Sequence, residues 1–180
     1  MTSADRDVGP GPIATAVGPL GSGIRLRPVS AADDIFVRAL FHADRAPQFA
    51  GVPEPMLTML LDQQFRSQQL GYRQAFPRAE HLVIVSDGQS VGRVIVAVVG
   101  DGERRVLHFV DIVVAETMRG HGIGAEVMTS LGRSAQTLGA TSMTLAVLSA
   151  NTRARRLYER LGFIATGDDG VRTAMVRPLS

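Results

Sequence analysis

The densest chemistry in the chain lies between Asp111 and Phe163. There, Arg119-Gly120-His121-Gly122-Ile123-Gly124-Ala125 follows an apolar run ending at Val114 and precedes an apolar pattern of helical period. Glycine lets the backbone turn tightly and approach a ligand closely. The first turn of the following helix has N–H groups without partners, and its dipole favours an anion. Arg119 adds a positive charge. The segment reads as a cradle for a phosphate or pyrophosphate, with packing of a glycine-rich loop as the alternative. Further on, Arg153, Arg155 and Arg156 form the densest basic cluster. Arginine binds phosphate in a forked way, so Arg155 and Arg156 are candidates for an anion, against the alternative of a solvated helix face.

Two known phosphate cradles fail against the spacing. Gly120, Gly122 and Ala125 match the dinucleotide fingerprint literally. That fingerprint needs its first glycine directly after a strand and an acidic residue about 20 positions on. Here residues 115–119 intervene, and no Asp or Glu occurs between Glu126 and Glu159. The Walker loop needs a lysine, and all 19 basic residues are arginine.

The surrounding elements must hold this loop. The chain has 180 residues, 45% of them hydrophobic and 20% charged, which fits one globular domain plus a tail. Residues 1–22 are rich in glycine and proline and read as a flexible tail, with the domain covering 23–180. Strands are expected at 24–28, 81–86, 91–99, 104–114, 142–148, 163–166 and 171–176. Helices are expected at 30–40, 57–76, 122–138 and 151–161, with a loop at 42–55. Asp87-Gly88 is a hairpin turn signal. Gly139 and Gly162 stop the two later helices. The order β-α-α-β-β-β-α-β-α-β-β is that of a single-domain mixed α/β protein.

Composition excludes several classes. Without cysteine there is no thiol catalysis, disulfide scaffold or cysteine-zinc site. The histidines His42, His81, His108 and His121 have no metal-ligand spacing, so no metal is expected. A formal net charge of +2 without a clustered basic stripe gives no reason to expect nucleic acid. No apolar run reaches the ~18 residues of a membrane span, and no signal segment is visible. A cytoplasmic protein without membrane attachment is the expectation.

The run from Val114 to Gly124 resembles the strand and (Arg/Gln)-x-x-Gly-x-(Gly/Ala) signature of the GNAT superfamily of N-acetyltransferases, with Arg119 and Gly122 in its first and fourth places. Asn151-Thr-Arg-Ala-Arg-Arg-Leu-Tyr-Glu-Arg-Leu-Gly-Phe163 resembles that family's second signature. The expected element order from Ile24 to Val176 also resembles the family fold. One departure is Glu116, where the family often carries proline.

The resemblance implies an acyl-CoA N-acyltransferase fold, with a mostly antiparallel central sheet flanked by helices. It implies direct acetyl transfer from acetyl-CoA to a primary amine of a small molecule or protein, in an enzyme that is a homodimer in some members. The pyrophosphate would lie on Gly120, His121, Gly122, Ile123, Gly124 and Ala125, beside Arg119. Pantetheine would lie along Ile112, Val113 and Val114. Asn151 would contact the cofactor, cap its helix, or both. Tyr158 shares a helical stripe with Ala154 and Leu161. Its hydroxyl could protonate the departing thiolate, or rest on a core carbonyl. Asp111 is the acid inside the strand and a candidate general base, provided that alternation turns it inward. His108 and Glu116 are further candidates. An acyltransferase for another acyl group or acceptor, and a CoA-binding regulatory module, are the rival readings.

Overall fold

A computed structural model describes residues 11–17, 20–21 and 23–179, the side chain of Glu103 excepted. Its elements are α1 (Pro12–Ala16), β1 (Ile24–Pro28), α2 (Asp34–Arg45), α3 (Met56–Ala75), β2 (Glu80–Ser86), β3 (Gln89–Val99), β4 (Val106–Val114), α4 (Ile123–Thr137), β5 (Ser142–Leu148), α5 (Thr152–Arg160), β6 (Ile164–Asp168) and β7 (Arg172–Pro178). The seven strands form one sheet in the order β1-β2-β3-β4-β5-β7-β6. All neighbours are antiparallel except β4 and β5. The expected mixed, mostly antiparallel sheet flanked by helices is what forms.

Alternation divides the sheet into two faces. Leu82, Ile84, Val94, Val96, Leu107, Phe109, Met143, Leu145 and Met175 join one core with Ile123, Val127, Met128 and Leu131 of α4 and Tyr158 of α5. The opposite face carries Val83, Arg93, Ile95, Ala97 and His108, beneath α2 and α3. The apolar stripe of α4 is continuous because Val127 and Leu131 lie one turn apart; both are fully buried.

A β-bulge decides where the functional strand points. Ile95 pairs with Asp111 and Val96 with Phe109, so Val110 is an extra residue in β4. Uninterrupted alternation would place Asp111 with Leu107 and Phe109 in the α4 core. The inserted residue flips it to the α2–α3 face, beside Arg93.

Two expectations need correction. The tail does not extend to residue 22: Ile13 is 0% exposed and Leu20 5%, both part of the core. Glu80 accepts hydrogen bonds from the backbone N–H groups of Ile13 and Ala14 at 2.8 Å each, fixing α1 against β2. Five residues are too few for a sequence period, so only burial shows that this turn belongs to the domain. Residues 1–10 of the expected tail lie outside the described ones. Second, α2 runs to Arg45 and a 3-10 turn continues over Ala46–Phe49, where a loop was expected from residue 42. Proline at position 47 is compatible with the first turn of that short helix. No helix among the described residues is long and apolar enough to cross a membrane.

Candidate active site

The glycine loop closes β4 onto α4. Gly120 and Gly122 have φ of 90° and 80°, a region side chains rarely adopt. Gly122 is the N-cap residue of α4, and no side chain caps the helix. The first turn therefore presents the N–H groups of Ile123, Gly124 and Ala125 without intrahelical partners. A Cβ placed on Gly120 or Gly122 would meet no atom within 4 Å. Open space in front of a row of unpartnered donors suits a phosphate.

Arg119 is held by the protein on two sides. Its Nε donates to the Val114 carbonyl at 2.9 Å and its Nη2 to Asp44 Oδ1 at 2.8 Å. The guanidinium thus pins the loop to the end of β4 and to α2, with part of its charge answered by Asp44.

Next to the loop the sheet opens. β4 and β5 pair only through Val106↔Ser142, Leu107↔Met143, His108↔Thr144 and Phe109↔Leu145. Both strands continue, β4 to Val114 and β5 to Leu148, without pairing to each other. The backbone of Ile112, Val113 and Val114 therefore faces a gap on the β5 side, where an extended amide-bearing chain could bond to it. Near the end of the paired stretch, His108 Nδ1 lies 2.9 Å from Thr144 Oγ1, and the His108 ring stacks on Phe76 at 5.1 Å. Burial lowers the pKa of His108 below its ordinary value, which disfavours the charged form.

Tyr158 and Asp111 lie on opposite faces of the sheet, near enough for the charge of Asp111 to act on the tyrosine. Tyr158 is buried in the α4-side core, its ring 5.9 Å from Phe163. Burial pushes its pKa up to about 12, and the negative charge of Asp111 pushes the same way. No hydrogen bond from the Tyr158 hydroxyl to a core carbonyl is found among the described residues.

Asp111 is held by Arg93. Arg93 Nη2 donates to Asp111 Oδ2, with side chains only 3% and 15% exposed. The same Nη2 lies 3.5 Å from Gln68 Oε1 of α3. Tyr72, one turn further along α3, has its pKa pushed up to about 12, by burial first and by Asp111 second, while Arg93, Arg172 and Arg45 oppose the shift. None of Arg93, Tyr72, Gln68, Arg45 or Arg172 stood out in the sequence. Arg93 carried the one readable signal: it is a lone charge inside an apolar, β-branched strand. Tyr72 was indistinguishable from a core residue of an amphipathic helix.

The remaining candidates separate. Asn151 caps α5, its Oδ1 accepting from the Ala154 N–H at 3.1 Å. Gly124 of α4 lies against α5, since a Cβ there would stand 3.8 Å from Leu157. Arg155 is half-buried and its charge reaches Asp168 of β6, whereas Arg156 is exposed. Glu116 sits exposed in a 3-10 turn, Glu116–Met118, beyond the strand.

Residues 38–163 match the sequence model of the acetyltransferase (GNAT) family, and the chain belongs to that family. No match is found among curated proteins. Among solved structures, the chain is similar to the PaiA N-acetyltransferase of Thermoplasma acidophilum in complex with coenzyme A, with a TM-score of 0.68 and 14% identity over 87% of this chain and 99% of that one. An acetyltransferase from Thermus thermophilus gives a TM-score of 0.63 and 21% identity, over 87% and 97% of the two chains. Nourseothricin acetyltransferase has 31% identity over 58% of this chain and 67% of that one, with a TM-score of 0.50.

Proposed function

We propose that this protein is an N-acetyltransferase that moves an acetyl group directly from acetyl-CoA to an amine. The observation that carries the reading is the β4–β5 seam that opens beyond Phe109 and Leu145, with the glycine loop following β4. The solved complex of the Thermoplasma relative with coenzyme A supports the same donor here.

The loop fits the donor's phosphates: three unpartnered N–H groups face open space and no Cβ fills it. When bound, acetyl-CoA supplies an activated acetyl thioester. The loop N–H groups of residues 123–125 bind phosphate oxygens. The unpaired backbone of Ile112, Val113 and Val114 aligns the rest of the donor. Asp111, turned to the α2–α3 face by the bulge, accepts the proton that the incoming ammonium must lose. Arg93 keeps the carboxylate in place. Tyr158 donates a hydrogen bond to the departing sulfur. With a pKa of about 12 it stays protonated throughout the neutral range, so its part is to stabilise the thiolate rather than to exchange protons with solvent. The buried, neutral-leaning His108 stands beside the opening, where it can relay a proton.

A thiol-release assay with a panel of amines, run beside a thermal-shift titration with acetyl-CoA, tests the reading. The expected result is a rise in melting temperature with acetyl-CoA and amine-dependent release of thiol. A shift without turnover of any amine would leave a binding module instead.

A further inference from the structure

The α2–α3 face of the sheet carries an uneven set of charges where an acceptor would stand against Asp111. Arg93 and Asp111 sit on this face through the register of β3 and β4. Arg172 opens β7 opposite Leu148, on the side shared with Ala146 and Thr144 and therefore with His108. Arg45 ends α2, its guanidinium 5.8 Å from the centre of the Phe41 ring, which itself packs on Phe65 of α3 at 5.3 Å. The charges of Asp111, Arg93, Arg172 and Arg45 all act on the Tyr72 hydroxyl of α3. Among the described residues, two carboxylates answer the set: Asp111, paired with Arg93, and Asp44, which lies 3.8 Å from Arg45 and is shared with Arg119 at 2.8 Å. Arg172 has no carboxylate at ion-pair distance among the described residues.

The unmet hydrogen bonds point the same way. Arg93 Nε and Arg93 Nη1 are buried without a partner. Both are donors, and buried donors without acceptors are costly. An oxyanion answers both the surplus positive charge and the surplus of donors. A purely cationic acceptor meets like charge instead.

Resting on the acetyltransferase reading above, we propose that the acceptor carries an anionic group, a carboxylate or a phosphate, beside its reacting amine, and that Arg93, Arg172 and Arg45 form the site that takes it. Asp111 then receives the ammonium end and the arginines the oxyanion end. Guanidinium groups suit this task, because they bind carboxylate and phosphate oxygens through several directed N–H groups.

Matched amines test it: 4-aminobutyrate against butylamine, glucosamine 6-phosphate against glucosamine, and spermidine as the polycation. The expected result is a kcat/KM at least ~10-fold higher for the acid-bearing member of one pair, as a charge-assisted hydrogen bond would give. Which pair responds tells carboxylate from phosphate. Arg172→Gln and Arg45→Gln should each shrink that ratio through KM, and Arg172→Lys should restore part of it. A purely structural arginine would lower both members of a pair equally and leave the ratio unchanged, which overturns the assignment. Equal rates within both pairs, or a preference for spermidine, overturns it as well. A melting shift with acetyl-CoA and no rate with any amine refutes the acetyltransferase reading itself, and the anionic acceptor falls with it.

Discussion

The two halves of β4 have nearly the same composition and opposite duties. Val106, Leu107, His108 and Phe109 pair on both sides, with β3 and with β5, and Leu107 and Phe109 are buried in the core. Beyond Phe109 the strand bulges at Val110, keeps its pairing with β3 and loses β5. One half is a structural strand whose backbone groups are satisfied within the sheet. The other leaves an unpaired edge inside the molecule, which globular proteins tolerate where something else is to bind. A single inserted residue makes the difference, because it both turns Asp111 to the other face and coincides with the divergence of β5. The site thus arises where the sheet stops being regular.

Substitutions in the two halves should therefore fail differently. The largest effect is expected from Tyr158→Phe, which keeps the ring against Phe163 and removes the hydroxyl from the gap. Its kcat should fall by ~10²–10⁴ and kcat/KM alike, with little change in melting temperature. The pH dependence of stability gives an independent check. A folded pKa of about 12, above the ordinary value of 10 for a free tyrosine, means that the unfolded chain releases its proton first as pH rises. This part of the stability is complete below pH 10 and lost between about pH 10 and 12, and Tyr158→Phe should reduce that loss in alkaline melts. A variant with normal kcat would remove Tyr158 from the chemistry.

Gly122→Glu comes next. It places a carboxylate in the open space before the helix N-terminus and should abolish acetyl-CoA binding in calorimetry. The φ of 80° adds a cost of roughly 1–2 kcal/mol to the fold, so a modest drop in melting temperature should accompany it. Unchanged affinity would place the phosphates elsewhere.

In the paired half, Leu107→Ala should act on stability alone. Deleting a fully buried leucine side chain costs ~2–5 kcal/mol, read from chemical denaturation, while KM and kcat of the remaining folded protein stay near wild type. A large KM change would mean that the two halves are not separable. The smallest effect belongs to His108. Its pKa lies below the ordinary 6.5 because burial disfavours the charged ring. Its contribution is present above pH 6.5 and lost as pH falls through the lower folded value, so His108→Gln should flatten the decline of melting temperature as pH falls below 6.5. An equally steep decline in the variant would assign it to other groups.

The glycine loop, the capping role of Asn151, the inward stripe of Tyr158 and the succession of strands and helices from Ile24 onward were legible in the chain itself. Each depends on neighbours a few residues apart: φ-permissive glycines, a side chain reaching the next N–H, apolar spacing of four in a helix or two in a strand. The same locality explains the misreadings. Ile13 looked like tail because its partner Glu80 is 67 positions away, and Leu20 because the core it joins is built from distant strands. The Arg119–Asp44 pair was invisible in the chain because the two residues are 75 positions apart. The face of Asp111 could not be read at all, since one extra residue reverses alternation and nothing local marks Val110 as that residue. The sequence by itself determined the local conformations and the two signatures that place the chain among acetyltransferases. Only the tertiary structure decided that Asp111 lies beside Arg93, that its charge acts on Tyr158, and that three arginines from a helix and two strands all act on Tyr72. Those relations depend on strand register and long-range packing, which no short window of residues encodes.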